Sequence, residues 1–195
     1  GKYFKPVQFR GRLIRIQNEA TKPGVHPSSD HTIRRGDIIM KKTNAARILD
    51  RLKIDYELKE YKVDLNDLSA IHVAKDVNMD IKTVFKTLVA RSDKNDIIMA
   101  CIPGDDELHL KKLAQVANFK KVEMIHLKEL LPLTGYVRGG CSPLGAKKAY
   151  PVFIDETALK WPKIAISAGV RGEQILLAPQ DLIKAVNATV ADLIK

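Results

Sequence analysis

Cysteine is scarce in this 195-residue chain, with Cys101 and Cys141 the only two. Two thiols cannot build a disulfide framework or a four-thiolate zinc knuckle, so the ordinary reading is a pair of reduced thiols. No apolar run approaches the roughly 18 to 20 residues that a bilayer crossing requires, which excludes a helical membrane span. The N-terminal segment lacks the charged, apolar and small-residue regions of a signal peptide, and the expected location is the cytoplasm. No His-x-x-x-His or carboxylate pairing accompanies His72, His109 and His126, and no metal site is expected from them. What is present fits one compact α+β domain: 45% hydrophobic residues, enough to fill a core at this length, and 29% charged residues.

The formal charge of +10 points to a polyanionic partner, although half of it lies in residues 1–39, with eight basic residues against three acidic. The other 156 residues hold 25 basic against 20 acidic, a modest excess. Residues 1–39 show no sustained period and contain the loop-like run from Thr21 to Asp30, and Met40 follows. They are expected to be an appended or translated upstream extension that is disordered, with residues 40–195 forming the single domain. The rival reading is a basic arm that binds nucleic acid, against which stands the scatter of its charges.

From Thr43, Ala45, Ile48, Leu49 and Leu52 recur at helical spacing, with Thr43 or Asn44 as cap. Ile54, Tyr56 and Leu58 alternate with polar residues, which predicts a strand reaching Tyr61. A helix is predicted over 67–78, capped by Asn66 or Asp67 and burying Leu68, Ile71, Ala74 and Val77. The runs 84–90 and 97–102 flank a polar turn and predict an antiparallel hairpin. Asp106 is the expected cap of a helix over Leu110, Leu113, Ala114 and Ala117. Strands are predicted at 122–125, 151–154, 164–167 and 174–177, and short helices at 127–131 and 180–186. Connections too short for parallel crossovers favour a mixed, largely antiparallel sheet wrapped by helices.

Lys86 stands out because a lysine among Val84, Phe85, Leu88 and Val89 is costly to bury. It is either an edge-strand lysine with its ammonium in water or a cation held at a pocket wall, aimed at a phosphate or at a carbonyl oxygen that gains charge. Thr87 supplies a neighbouring hydroxyl. The stretch Gly135–Gly145 has four glycines in eleven residues and can bring backbone amides close to a ligand. It is not a P-loop, because Ala146 stands where lysine is needed, and it lacks the flanking strand and helix of a dinucleotide fingerprint. Ser167 lacks a nucleophile elbow and an evident histidine partner, and Cys141 lacks an orienting base. Periodicity and spacing alone name no reaction.

At these residues the chain resembles a known family. Thr43-Asn-Ala-Ala-Arg-Ile-Leu-Asp50, Val84-Phe-Lys-Thr-Leu88, Leu110-Lys-Lys-Leu-Ala114, Lys120-Lys-Val-Glu-Met124, Thr134-Gly-Tyr-Val-Arg-Gly-Gly-Cys-Ser-Pro-Leu-Gly145 and Ser167-Ala-Gly-Val-Arg-Gly172 resemble, in order, the YbaK-type aminoacyl-tRNA deacylases. These are relatives of the editing domain of bacterial prolyl-tRNA synthetase. The match runs from about Met40 to the C-terminus. The resemblance implies a barrel-like mixed sheet surrounded by helices and hydrolysis of mischarged aminoacyl-tRNA, typically Cys-tRNA(Pro), without metal or organic cofactor. Editing of Ala-tRNA(Pro) or another small amino acid, or a non-catalytic module that binds a tRNA end or nucleotide, are the alternatives. Prolyl-tRNA synthetase is an implied partner alongside tRNA.

By the same resemblance, Lys86 is the functional lysine, Thr87 its neighbour at the site, Tyr61 a pocket aromatic and Ser167 a polar wall residue. Gly139, Gly140, Ser142 and Pro143 resemble the glycine loop that closes over the aminoacyl adenosine, and Gly169 belongs to the second glycine turn of the site. Gln174 stands where family members can carry an acid, Val170 replaces a basic residue, and Ser69 and Ala70 lack an aromatic that some members place at the pocket. These departures bear on substrate choice more than on fold.

Overall fold

The computed structural model describes residues 41–195 with their side chains, and the backbone of four strands that lie wholly or largely before them. The elements run β1 (Phe4–Phe9), β2 (Arg12–Gln17), β3 (Thr32–Arg35), β4 (Ile38–Lys41), α1 (Asn44–Arg51), β5 (Glu57–Glu60), α2 (Ala70–Asp76), β6 (Phe85–Ser92), β7 (Ile97–Pro103), α3 (Leu110–Val116), β8 (Val122–Met124), α4 (Leu127–Thr134), β9 (Val152–Asp155), β10 (Ile164–Ser167), β11 (Glu173–Leu177), α5 (Pro179–Val186) and β12 (Thr189–Ala191). The reading of residues 1–39 as an extension falls largely outside the described residues.

One sheet has the order β10-β11-β5-β1-β2 and the other β12-β9-β7-β6-β8, with β3 and β4 as a separate hairpin. Pairing is antiparallel within β6–β7, β6–β8, β10–β11 and β11–β5, and parallel at β7–β9 and β9–β12. The class is therefore the mixed α+β expected, but the sheet is not closed into a barrel. Among the described residues the two five-stranded sheets share one backbone bridge, parallel, between Val84 and Ala165.

β7 explains why the hairpin reads as a continuous apolar run. Met99 and Cys101 face one core with Leu49, Ile154, Ile166 and Leu177, while Ile98, Ala100 and Ile102 face another with Leu113 and Ala114 of α3. Both faces are covered, so period-two alternation disappears. A third cluster joins Val73 and Ala74 of α2 and its C-cap Val77 to Val84, Ala165 and Leu176, so α2 lies over the bridge between the sheets.

Helix starts depart from expectation where a side chain takes an orphan amide. Thr43 caps α1 as expected, accepting from the Ala46 N–H. α2 begins three residues late because Ser69, whose own N–H is held by Asp67, accepts from the His72 N–H. The buried stripe of α2 is accordingly Val73 and Ala74, and Ile71 is 59% exposed. His109, not Asp106, caps α3, its Nδ1 accepting from the Lys112 N–H. β12 was not foreseen. It is fixed by the fully buried Asp155, whose carboxylate accepts from Leu193 N–H at 2.9 Å and from the N–H and hydroxyl of Thr157.

Candidate active site

β6 changes partners along its length. Val84 bridges to β10, Ala90 to Ser92 pair with β8, and between them residues 85–88 pair only with β7 among the described residues. The split leaves a cavity of about 410 Å³ beside the unpaired edge. That volume lies in the range of small-molecule sites. Leu68, Ser69 and Ala70 at the start of α2 line it, as do the apolar Met124, Ile125, Leu127 and Leu130, which lie in β8, in α4 and between them.

Lys86 lies in this cavity wall, half-buried, with Nζ donating to the Gly104 carbonyl at 3.0 Å. Burial pushes its pKa below the ordinary 10.5, while the carboxylates of Asp106, Asp105 and Glu107 pull it back up. Gly104 has to be glycine for space: an added Cβ would lie 2.6 Å from Ala70 Cβ and 2.9 Å from the Val84 carbonyl oxygen. The carbonyl that anchors the ammonium therefore sits against the start of α2 and the bridge between the sheets.

Strand alternation places Lys86 on the face of Val84, two residues on. Ala165 and Leu176 are paired across β10 and β11, as are Ser167 and Gln174. The apolar row Val84, Ala165, Leu176 under α2 is thus followed by a polar row, Lys86, Ser167, Gln174, all three lining the cavity. Ser167 Oγ accepts from the Gly169 N–H at 3.1 Å. Gln174 is 4% exposed, and its Oε1 accepts no hydrogen bond among the described residues.

The glycine loop closes the cavity with alternate residues. Gly139 and Cys141 line it, together with the exposed Arg138. Gly140, Ser142 and Pro143 are buried and off the lining; Ser142 Oγ accepts from the Leu144 N–H, which shapes the loop from behind. Tyr61 is also off the lining, but its hydroxyl donates to the Gly139 carbonyl at 3.4 Å and ties the loop to the end of β5. Arg171 Nε donates to the Arg138 carbonyl at 2.8 Å. Gly169, at φ 95°, lies against the Tyr136 ring, one step behind the lining. Thr87 lines the cavity, with Oγ1 3.6 Å from Cys101 Sγ.

Of the residues singled out from sequence, Lys86, Thr87, Gly139, Ser167 and Gln174 thus converge on one cavity, and Tyr61, Gly140, Ser142, Pro143 and Gly169 form the frame behind it. The apolar wall of Met124, Ile125, Leu127 and Leu130 went unread as a site. Its one signal is apolar side chains left on the surface, with Leu127 60% exposed. His72, His109 and His126 are absent from the lining, the last two standing at helix N-caps.

The lining holds no activated nucleophile. Burial and then the neighbouring Cys101 push the Cys141 thiol up to about 12. Burial alone outweighs the Thr87 contact to hold Cys101 at about 12 as well. Such thiols stay protonated near neutrality. Among the described residues no group of three His, Cys, Asp or Glu could hold a metal ion. The arrangement offers a half-buried ammonium, the exposed guanidinium of Arg138, hydroxyls and an unpaired amide oxygen, which suits binding and charge stabilisation.

Comparison with known proteins agrees with this architecture. Residues 68–185 match the model of the aminoacyl-tRNA editing domain. A protein of Enterococcus faecalis, EbsC, named as a proposed Cys-tRNA(Pro)/Cys-tRNA(Cys) deacylase, is 44% identical over 153 residues, covering 78% of this chain and 93% of its own. A proline–tRNA ligase of Thermosipho africanus is 29% identical over 98 residues, which is 50% of this chain and 17% of the ligase. A solved structure described as a proposed trans-editing enzyme for prolyl-tRNA synthetase superposes with TM-score 0.66 at 23% identity, covering 78% of this chain and 97% of that one, and shows the shared fold. The chain belongs to the aminoacyl-tRNA editing domain family.

Proposed function

We propose that this protein hydrolyses the ester linking a wrong amino acid to the 3′ end of tRNA, with Cys-tRNA(Pro) as the leading substrate. The observation that carries the reading is a lysine ammonium fixed by a backbone carbonyl in the wall of a small cavity that contains no activated nucleophile. A site so built acts by positioning the ester and stabilising charge. Lys86 meets either the terminal phosphate or the ester oxygen as it gains charge, and the Gly139 backbone in the lining supports the carbonyl, the Gly140 N–H being held by the Val137 carbonyl. The nucleophile comes from the substrate: the cysteinyl sulfur attacks its own carbonyl, its proton passes to the departing oxygen, the tRNA 3′ hydroxyl leaves, and water opens the released thiolactone to free cysteine. The relationship to EbsC supports this substrate.

The tRNA identity is supplied largely by a synthetase partner, since residues 40–195 carry only 25 basic against 20 acidic side chains. Among the described residues no helix is long and apolar enough to cross a membrane, and we place the reaction in the cytoplasm where charged tRNA is used. The test is a panel of Cys-, Ala- and Ser-charged tRNA(Pro), with ester loss compared against the rate in buffer. Cys-tRNA(Pro) is expected to be released fastest. Ala-tRNA(Pro) released equally well would move the substrate to small amino acids generally, because apolar walls separate such side chains by only about 1 to 3 kcal/mol per methylene. No acceleration for any of the three, with tRNA binding retained, would make the site a non-catalytic module.

A further inference from the structure

We propose that Gln174 is the residue that receives the α-ammonium of the aminoacyl ester, its Oε1 accepting a charge-assisted hydrogen bond from the bound substrate. The inference rests on the editing reading above and names the substrate group that the amide selects. A buried amide oxygen without a partner costs stability, and such groups are rare in folded proteins unless something outside the chain completes them. Gln174 Oε1 is in that state, on a residue that lines the cavity. Its side chain follows from register: Leu176, two residues on, belongs to the apolar cluster under α2, and Gln174 takes the next place on the same face.

The neighbours of Gln174 decide which substrate group reaches it. Ser167 is paired with it on one side and Lys86 lies beyond, across the split between the sheets. On the other side it is paired with Lys59, whose ammonium is turned away to the Val77 carbonyl at 3.3 Å. The polar row therefore has a cation at one end and an uncharged acceptor at the other. An α-aminoacyl ester has the matching polarity, with a carbonyl oxygen that becomes negative and an ammonium on the adjacent carbon. With the oxygen toward Lys86, the ammonium falls toward Ser167 and Gln174, and the amino-acid side chain faces the apolar wall of Ile125 and Leu130. An amide in place of a carboxylate binds the ammonium without forming an ion pair with Lys86.

The experiment compares cysteinyl-tRNA with 3-mercaptopropionyl-tRNA, which keeps the thiol and has hydrogen in place of the α-amino group, in wild type and in Gln174→Met. Release of each ester is corrected for its rate in buffer. In wild type the des-amino ester is expected to lose roughly 10- to 100-fold in kcat/KM, the range of one charged hydrogen bond. In Gln174→Met that ratio shrinks to near unity, because the variant loses activity only on the cysteinyl ester. Equal slowing of both esters in Gln174→Met, or slowing of neither, overturns the assignment. So does a 2-aminobutyryl ester, with methyl replacing the thiol, whose disadvantage disappears in the variant, since that places the side chain at Gln174. If wild type releases neither ester faster than buffer, the proposed function falls. Calorimetric binding of the corresponding 3′-amide-linked adenosines then decides the Gln174 contact on the same ratio: a des-amino penalty in wild type that vanishes in the variant upholds it, and its persistence or absence in both overturns it.

Discussion

Lys86 is held where the fold would be better off without its charge. Burial is the leading reason its pKa lies below 10.5, so the protonated form is less favourable in the folded chain than in the unfolded one. The unfolded chain therefore holds its proton to higher pH, and this residue's penalty is fully present at neutral pH. It is relieved as pH rises from the lowered pKa toward 10.5. Lys86→Met is expected to keep or raise the melting temperature at neutral pH, with wild type gaining relative to it in the alkaline range; thermal melts against pH read the sign. The same variant is expected to lose about 2 to 4 kcal/mol of transition-state stabilisation in deacylation assays. Cys141 carries the opposite expectation. Its thiol, pushed up to about 12, is not a nucleophile, so Cys141→Ser should leave the rate within about threefold and wild type should react slowly with iodoacetamide at pH 7. Lys86 was legible in the sequence because a charge among β-branched and aromatic residues breaks a local rule. The orphaned oxygen of Gln174 was not, because only the pairing of β11 with β10 and β5 shows what surrounds it.

Among the elements, the turn after β7 has most bearing on the site, because its Gly104 carbonyl anchors the ammonium. Gly104→Ala forces a methyl group against Ala70, Ile81 and the Val84 carbonyl, and backbone has to move. The expected cost is about 1 to 3 kcal/mol of stability, the range of an overpacked core. Activity should fall further than stability accounts for, which kinetics at a temperature well below the variant's melting point will show. Elements with a strong local signal were legible, including the β6–β7 hairpin and α1 with its Thr43 cap. Helix starts at α2 and α3 were misplaced for one physical reason. Several polar residues precede each helix, and spacing alone does not say which of them finds the orphan amide. The cavity itself was illegible, since it arises from the exchange of partners along β6, a non-local event.

For the molecule as a whole, β7 is shared by two cores, so neither can be lost alone. Residues 41–195 are expected to unfold in one transition, with far-UV signal and Cys101 labelling by a disulfide reagent changing together in urea. Cys101 is 0% exposed on β7 and reports only global opening. Fold class was readable from interleaved periods, while the open, two-sheet form was not, because closure depends on pairings beyond any single strand. That open form has an evolutionary consequence. Lysine belongs to one layer, the hydroxyl and amide to the other, and the two are joined by a shared core and, among the described residues, by one backbone bridge at Val84 and Ala165. A descendant gene can retarget its amino acid by mutating β10 and β11 while inheriting the ammonium machinery intact.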